Sequence, residues 1–410
     1  MASRQQPSDF AVEEILGEPF RAAIRASAGG GPAERPTGHA LFTLRKRGIS
    51  TAQAIGEIAR RLRVPIAKLG TGGAKDPHGD TVQHLSVPLG GAVRGGGPQQ
   101  LSHRGWRLER VGWIDEPFDS SAVAGHRYSV LMRRLDEASI DDIDRAFELL
   151  TCAPGRVRLV NYYGDRRFAG AALRREMLGP LLVRGEYENA LRRLLTGIQQ
   201  RDTPSMRRQR RDMAELWGRW ADLAARLGNS PHRAAVTHLD ANPKDFAGAF
   251  ARLSLRTQVT AIESYQSMLF NAIAARVVTK ACSGRGRGVV AGAAWGDMPF
   301  PEASAFPTSL LEAELPLLAP GAELEPWHRA ETEAVLKDDE VTLDGLRLPG
   351  LEKPVFIPGS RRLIVEATDV ELGAPTHDDT DPRAKALRRR ITFTLPRGAY
   401  ASVLLAALGE

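Results

Sequence analysis

Alternating apolar and polar residues mark the two ends of this 410-residue chain, and helical periodicity fills its middle. Strand signals run through Asp9–Ile15, His39–Leu44, Thr81–Val87, Trp106–Trp113 and Tyr128–Met132, with clear alternation in the first and, apart from one phase break, in Thr81–Val87, and they return at Arg361–Val365 and Ile391–Leu395. Roughly residues 187–349 are helix-rich instead, with periodic stretches near 186–200, 206–227 and 257–278. Two strand-rich ends around a helix-rich centre predict an inserted domain, and the irregular mixing at the ends predicts an α/β or α+β layer with a mixed sheet. Ser50 or Thr51 is placed to cap a helix that Pro65 ends. A second helix is expected over Ser139–Leu150, capped by Ser139 or Asp141, and a short one over Ala399–Leu408. Gly29–Pro32, 88–98, 283–300 and 316–326 are rich in glycine or proline and read as loops, with 88–98 as a mobile connector.

Composition narrows the function classes. The net charge is +7, which attracts polyanions and favours a nucleic-acid or acidic-membrane partner. No apolar run reaches the ~18 residues of a membrane helix, and the polar start Met1–Phe10 has no secretory apolar region. Cys152 and Cys282 are the only cysteines, too few for a disulfide scaffold or a cysteine-based zinc site. A reducing, cytoplasmic location is the expectation. Metal and serine-nucleophile signatures are both missing, since neither H-E-x-x-H nor G-x-S-x-G occurs. Chemistry by side chains alone, with no cofactor and no metal, is therefore expected.

Three stretches hold the candidate chemistry. Residues 70–80 form a glycine-rich loop in which Lys75 stands beside Asp76, a cation that keeps the carboxylate ionised or holds phosphate. A tight Asp-Pro turn is the plain alternative. A P-loop is excluded, because Asp76 occupies the position after Lys75 where a hydroxyl residue is required. Asn161–Phe168 supplies rings, an amide and two arginines, the groups that hold an unstacked base and its phosphates. An aromatic strand end with solvated charges is its alternative. Ser205–Asp212 has four arginines in five positions, suited to an RNA backbone or to a solvated helix face.

Taken together, six stretches in order resemble the TruD family of pseudouridine synthases. Gly73-Ala-Lys-Asp-Pro-His-Gly-Asp-Thr-Val-Gln83 is similar to the G-x-K-D-[RK]-x-A-x-T-x-Q motif, with Asp76 on the catalytic aspartate. Asn161–Phe168 resembles N-Y-F-G-x-Q-R-F-G, and Asp9–Glu14 resembles D-F-x-V-x-E. His39 with Leu44–Thr51 resembles H…K-x-G-x-x-T, Tyr265–Asn271 resembles Y-Q-S-x-L-F-N, and Leu395–Ser402 resembles L-P-x-G-A-Y-A-T. The resemblance implies an α+β fold: a catalytic domain with a mixed, largely antiparallel sheet over 1–186 and 350–410, and a helix-rich insertion domain over 187–349. It also implies cofactor-free isomerisation of uridine to pseudouridine in RNA, most often at position 13 of tRNA, with no membrane and no obligate protein partner.

By the same resemblance Asp76 is the essential carboxylate, acting as nucleophile or as base at the 2′ position. Phe10, Glu14, Asn161 and Tyr163 are implied to line the uridine pocket, and Lys75, Arg167 and Phe168 to assist binding. Arg4 stands where the family often has Lys and is implied to pair with Asp76. Several positions depart from the pattern: Pro77 for Arg or Lys, Gly79 for Ala, Asp80 for an apolar residue, Tyr163 for Phe and Ala169 for Gly. The lost cation at Pro77 and the added acid at Asp80 predict weaker RNA binding or an altered Asp76 environment, whereas the Tyr163 phenol can stack as a Phe does and can also exchange a proton at C5. A non-catalytic RNA-binding or RNA-folding protein of the same fold is the alternative, and would not need Asp76.

Overall fold

The computed structural model describes residues 5–26, 38–90, 98–168, 177–198, 202–293, 295–380 and 386–409. Arg4, Ala169, the Gly29–Pro32 loop and most of the 88–98 connector lie outside the described residues. Contact density divides the chain into two compact units. One comprises Met1–Arg158, Glu366–Ala401 and Leu408–Glu410; the other comprises Leu159–Val365 and Ser402–Ala407. The insertion expected over 187–349 falls inside the second.

In the first unit the strands are β1 (Phe10–Leu16), β2 (Arg25–Ala26), β3 (His39–Arg47), β4 (Gly70–Thr71), β5 (Asp80–Pro88), β6 (Gln100–His103), β7 (Trp106–Ile114), β8 (Val123–Leu135) and β9 (Thr151–Ala153). β10 (Arg156–Val160) begins in it. Strands β11 (Gly288–Ala293), β12 (Gly296–Pro301), β13 (Glu314–Leu317) and β14 (Gly359–Arg362) belong to the second unit, before β15 (Ile364–Leu372), β16 (Thr376–His377) and β17 (Leu387–Pro396) return to the sheet. Its order is β2-β7-β3-β5-β1-β8-β17-β15-β10-β9, with β4 and β6 paired on β5 and β7, and β16 on β17. β1 runs parallel to β5 and antiparallel to β8, so the sheet is mixed and largely antiparallel, as expected.

One face of this sheet explains where the site lies. Ala40, Phe42 and Leu44 of β3 pair with Val87, Leu85 and Gln83 of β5, and all six are buried. Helix α2 covers this face, after α1 (Glu18–Ala23) in the chain; it spans Thr51–Leu62 and packs Ala54, Ile58 and Leu62 onto the row. Burying such a row removes apolar surface from water at roughly 25 cal/mol per Å². The Ser50 hydroxyl caps α2 by accepting from Gln53 N at 3.2 Å. At the far end of the same row the period-two pattern places Lys46, paired with Thr81. The apolar core thus ends in polar side chains under the loop that enters β5.

Helix α3 runs over Glu137–Leu150, two residues longer than expected. Asp136 caps it, accepting from Ser139 N at 2.9 Å and from the Ser139 hydroxyl, so Ser139 is a partner of the cap and not the cap itself. In the second unit α4 (Gly179–Val183), α5 (Tyr187–Thr196), α6 (Pro204–Glu215), α7 (Trp220–Leu227), α8 (Arg233–Ala241) and α9 (Phe246–Ala251) precede the long α10 (Leu255–Ala281). Two expectations fail here. The periodic helical stretch expected near 206–227 is divided into α6 and α7, separated where Gly218 takes a φ of 90° that no α-helix contains. The loop expected over 283–300 contains the hairpin β11–β12; its prolines are tolerated because both strands are edges. α10 is buried along most of its length and packs against α4, α11 (Pro326–Asp338), β12 and β13.

Candidate active site

The loop before β5 lies hard against β1, and two glycines permit it. A Cβ on Gly79 would stand 2.5 Å from the Phe10 carbonyl, and one on Gly72 would stand 2.7 Å from a Glu14 carboxylate oxygen. The first observation gives a structural cost to the family's Ala at position 79: Phe10 must shift to admit it. Between these glycines Asp76 is 5 % exposed. Its Oδ1 accepts from His78 N at 2.8 Å and Gly79 N at 3.3 Å, an aspartate turn that fixes the carboxylate. From below, Lys46 Nζ donates to the Asp76 carbonyl at 2.6 Å and to the Ile49 carbonyl at 3.0 Å. The next link in the loop is held as well: Lys75 N donates to the Thr51 hydroxyl at 3.0 Å, and that hydroxyl donates to Gln83 at 3.1 Å. Lys46 and Thr51 of K-x-G-x-x-T and Gln83 of T-x-Q therefore secure the loop rather than extend from it.

Beside the loop, a second polar cluster is built on β1 and β8. Glu14 shares the core-facing phase of β1 with Phe10 and Val12. Its carboxylate meets Lys75 Nζ at 2.7 Å, and accepts from His84 N at 2.6 Å. Burial alone pushes the Glu14 carboxyl up, but the His84 hydrogen bonds and the Lys75 charge outweigh it and hold the group below the usual carboxylate range. Across the β1–β8 ladder from Glu14 stands His126. Burial, reinforced by the Lys75 ammonium and opposed by Glu14, drives the imidazole down to about 4, so it is neutral at pH 7. Asp80, the acid that departs from the family pattern, is met by Arg47 of β3, which donates through Nε at 3.0 Å. The added negative charge is locally balanced.

In the second unit, Asn161, Tyr163, Arg167 and Phe168 share one neighbourhood. Asn271 of α10, fully buried, accepts from Tyr163 N at 2.8 Å and donates to Tyr163 O at 2.9 Å. The Tyr163 ring meets Phe270 edge-on at 5.5 Å. Arg361 of β14 lies over that ring at 4.2 Å and donates to Asn161 Oδ1 at 2.6 Å. Asn161 Nδ2 donates to the Arg362 carbonyl at 3.0 Å, so both ends of this amide hold the β14 backbone and side chain. Arg167 sits 5.6 Å from the Tyr163 ring and donates to Ser267 at 3.0 Å. Phe168 is buried. Of the four arginines of α6, Arg210 turns inward to Asp202 and to the Leu194 carbonyl, while Arg207, Arg208 and Arg211 are exposed.

The structure thus groups Phe10, Glu14, Lys75 and Asp76 in one unit, and Asn161, Tyr163, Arg167 and Phe168 in the other. Sequence reasoning gave no role to Lys46, His84, His126, Asn271 or Arg361. Lys46 carried a readable signal, a cation in the apolar phase of a strand. Arg361 carried none, since it meets Asn161 across 200 positions of sequence.

Comparison with known proteins agrees with this architecture. A crystal structure of a putative TruD from Methanosarcina mazei superposes with a TM-score of 0.70 at 19% identity, covering 99% of this chain and 92% of that one. The fold is that of a pseudouridine synthase. In sequence, a probable tRNA pseudouridine synthase D 1 of Methanococcus maripaludis is 24% identical over 99% of this chain and 98% of its own length. A tRNA pseudouridine synthase D of Leptospira interrogans is 25% identical over 99% of this chain and 95% of its own length. Residues 1–285 match the family described as tRNA pseudouridine synthase D (TruD), and the chain belongs to that family.

Proposed function

We propose that Asp76 is the carboxylate with which this tRNA pseudouridine synthase converts uridine to pseudouridine. The observation that carries the reading is a buried aspartate, fixed by its own turn, at the tip of the loop that bears the family motif. The reaction is an isomerisation. The C1′–N1 bond breaks, the uracil turns, C5 bonds to C1′, the C5 proton leaves and N1 gains one. Atoms and electrons balance without a redox partner. Asp76 serves as nucleophile at C1′ or as base at the 2′ position, and either role needs its ionised form.

Phe10, Glu14 and Lys75 are read as uridine-binding groups beside Asp76, and Tyr163, Arg167 and Phe168 as groups that stack on the base or contact phosphate. Asn161 is read as the residue that sets Arg361 and Tyr163. The 187–349 insertion, with its exposed α6 arginines, is assigned to tRNA-backbone binding. Position 13 of tRNA is the proposed target, taken from the family resemblance. A cytoplasmic location is proposed as well: Cys152 and Cys282 are free thiols, and no helix among the described residues is long and apolar enough to cross a membrane.

Mapping pseudouridine in RNA from cells with and without this protein tests activity and target together. A tRNA site that loses pseudouridine on deletion, and regains it with the wild-type gene but not with Asp76→Asn, is the expected result. Full modification in the deletion strain overturns the reading.

A further inference from the structure

Lys46 is the residue that stability alone explains least. It lies in the row Ala40, Phe42, Leu44, Lys46, the face of β3 that α2 covers with apolar side chains. Only 2 % of it is exposed. Its two hydrogen-bond partners, Asp76 and Ile49, are main-chain carbonyls and not carboxylates. A buried ammonium without a bonded counter-ion costs several kcal/mol of desolvation. Methionine has a similar length and would continue the apolar row with no such cost. Two carbonyl contacts offset part of the penalty, but a neutral donor could make them too. What only the ammonium supplies is charge, and that charge acts on the Asp76 carboxylate.

We propose that Lys46 is a positioning residue for the reaction: its charge, seated on the Asp76 carbonyl, sets the loop and the field in which the Asp76 carboxylate works. The inference rests on Asp76 being the reactive carboxylate. Among the described residues, the charged groups that reach Lys46 both come from the loop, Asp76 favouring its protonated form and Lys75 opposing it. Its neighbours across the sheet, Thr81 on β5 and Trp106 on β7, are uncharged. Burial, opposed by Asp76 and aided by Lys75, brings the ammonium down to about 8. The protonated form therefore dominates at pH 7 and is lost as pH rises past that value.

The test is single-turnover pseudouridine formation on tRNA by wild type, Lys46→Met, Lys46→Gln and Lys46→Arg, with the tRNA Kd of each and with Asp76→Asn run in parallel. Both neutral variants are expected to be about 100-fold slower, the scale of a misplaced reacting group. Their tRNA Kd should stay near that of wild type, and Lys46→Arg should recover much of the rate. In wild type the rate should fall as pH passes about 8, and in Lys46→Arg that limb should move upward. Substrate ionisation is common to both proteins and cancels in the comparison. Neutral variants as fast as wild type, or an arginine variant no faster than the neutral ones, overturn the inference. Should the neutral variants not fold, the wild-type and arginine pH profiles decide it: a shared limb overturns it, a displaced one supports it. An active Asp76→Asn sinks the functional reading instead, which keeps the two failures distinct.

Discussion

The Asp76 region and the Tyr163 region solve the same problem with different physics. Around Asp76 the held groups are charges: Lys46 under the loop, and Lys75 against Glu14 with both side chains almost fully buried. Around Tyr163 the backbone is held by a neutral amide, Asn271, and the ring is held by Phe270 and the face of Arg361. A low-dielectric pocket magnifies electrostatic terms, so the first region is sensitive to any lost partner. The second depends on hydrogen-bond geometry and ring packing, which change little with pH. A carboxylate needs a field, and a flat base needs a rigid surface; the roles proposed for the two regions match those two needs.

The contrast can be broken most directly at Glu14. Glu14→Gln leaves the Lys75 ammonium buried beside a neutral group and should destabilise the first unit by about 3–5 kcal/mol. Glu14→Gln with Lys75→Met should recover much of that loss, because both charges are then gone. Asn271→Ala is the counterpart in the second unit. It orphans the Tyr163 N–H and C=O and should cost roughly 2–4 kcal/mol, with no second substitution that restores it. Denaturant unfolding with unit-resolved hydrogen exchange reads both. No recovery in the Glu14–Lys75 double variant would erase the distinction between charge and packing.

Acid should separate the regions further. Asp378 and Asp9 flank the buried Arg133 in the first unit, at 2.6 and 2.9 Å. Although burial opposes it, hydrogen bonds from Thr380, Arg134 and Arg133 bring the Asp378 carboxyl down to about 2, and Glu14 is also held low. A depressed carboxyl stabilises the fold wherever it is ionised, above its unfolded pKa, and that stability is lost as pH falls through the folded value. The first unit should therefore loosen between about pH 4 and 2, and Asp378→Asn should flatten that dependence. Exchange at the Tyr163 backbone, held by the neutral Asn271 amide, should change less over the same range. The smallest expected effect is on salt response. Replacing Arg208 and Arg211 by alanine should reduce the slope of log Kd for tRNA against log salt by about 1 per lost phosphate contact. An unchanged slope makes α6 a solvated face.

Much of the fold is legible in the sequence, for identifiable reasons. Period-two alternation marks β1 and β7, whereas β3, β5 and β8 are read as strands although Ala40–Phe42, Leu85–Val87 and Val130–Arg133 are buried on both faces. The same alternation puts Glu14 in phase with Phe10, so its spacing alone marks a carboxylate that faces the core. Part of what the pattern misses is local. Asp136 caps α3 through a residue that itself resembles a cap, and one glycine divides α6 from α7. β11 and β12 pair only with each other, so their glycines and prolines resemble a loop. The pairing of Tyr163 is beyond the reach of local periodicity: Asn271 lies 108 positions away, and the Tyr265–Asn271 motif singles it out without saying what it holds.

One measurement bears most directly on the central claim: pseudouridine formed in a single turnover by Asp76→Asn bound to tRNA, with the Kd of that variant measured alongside. Asparagine preserves the shape and can still accept from His78 and Gly79. Binding within about threefold of wild type and no pseudouridine above background are the predicted results. Product at the wild-type rate would contradict the account.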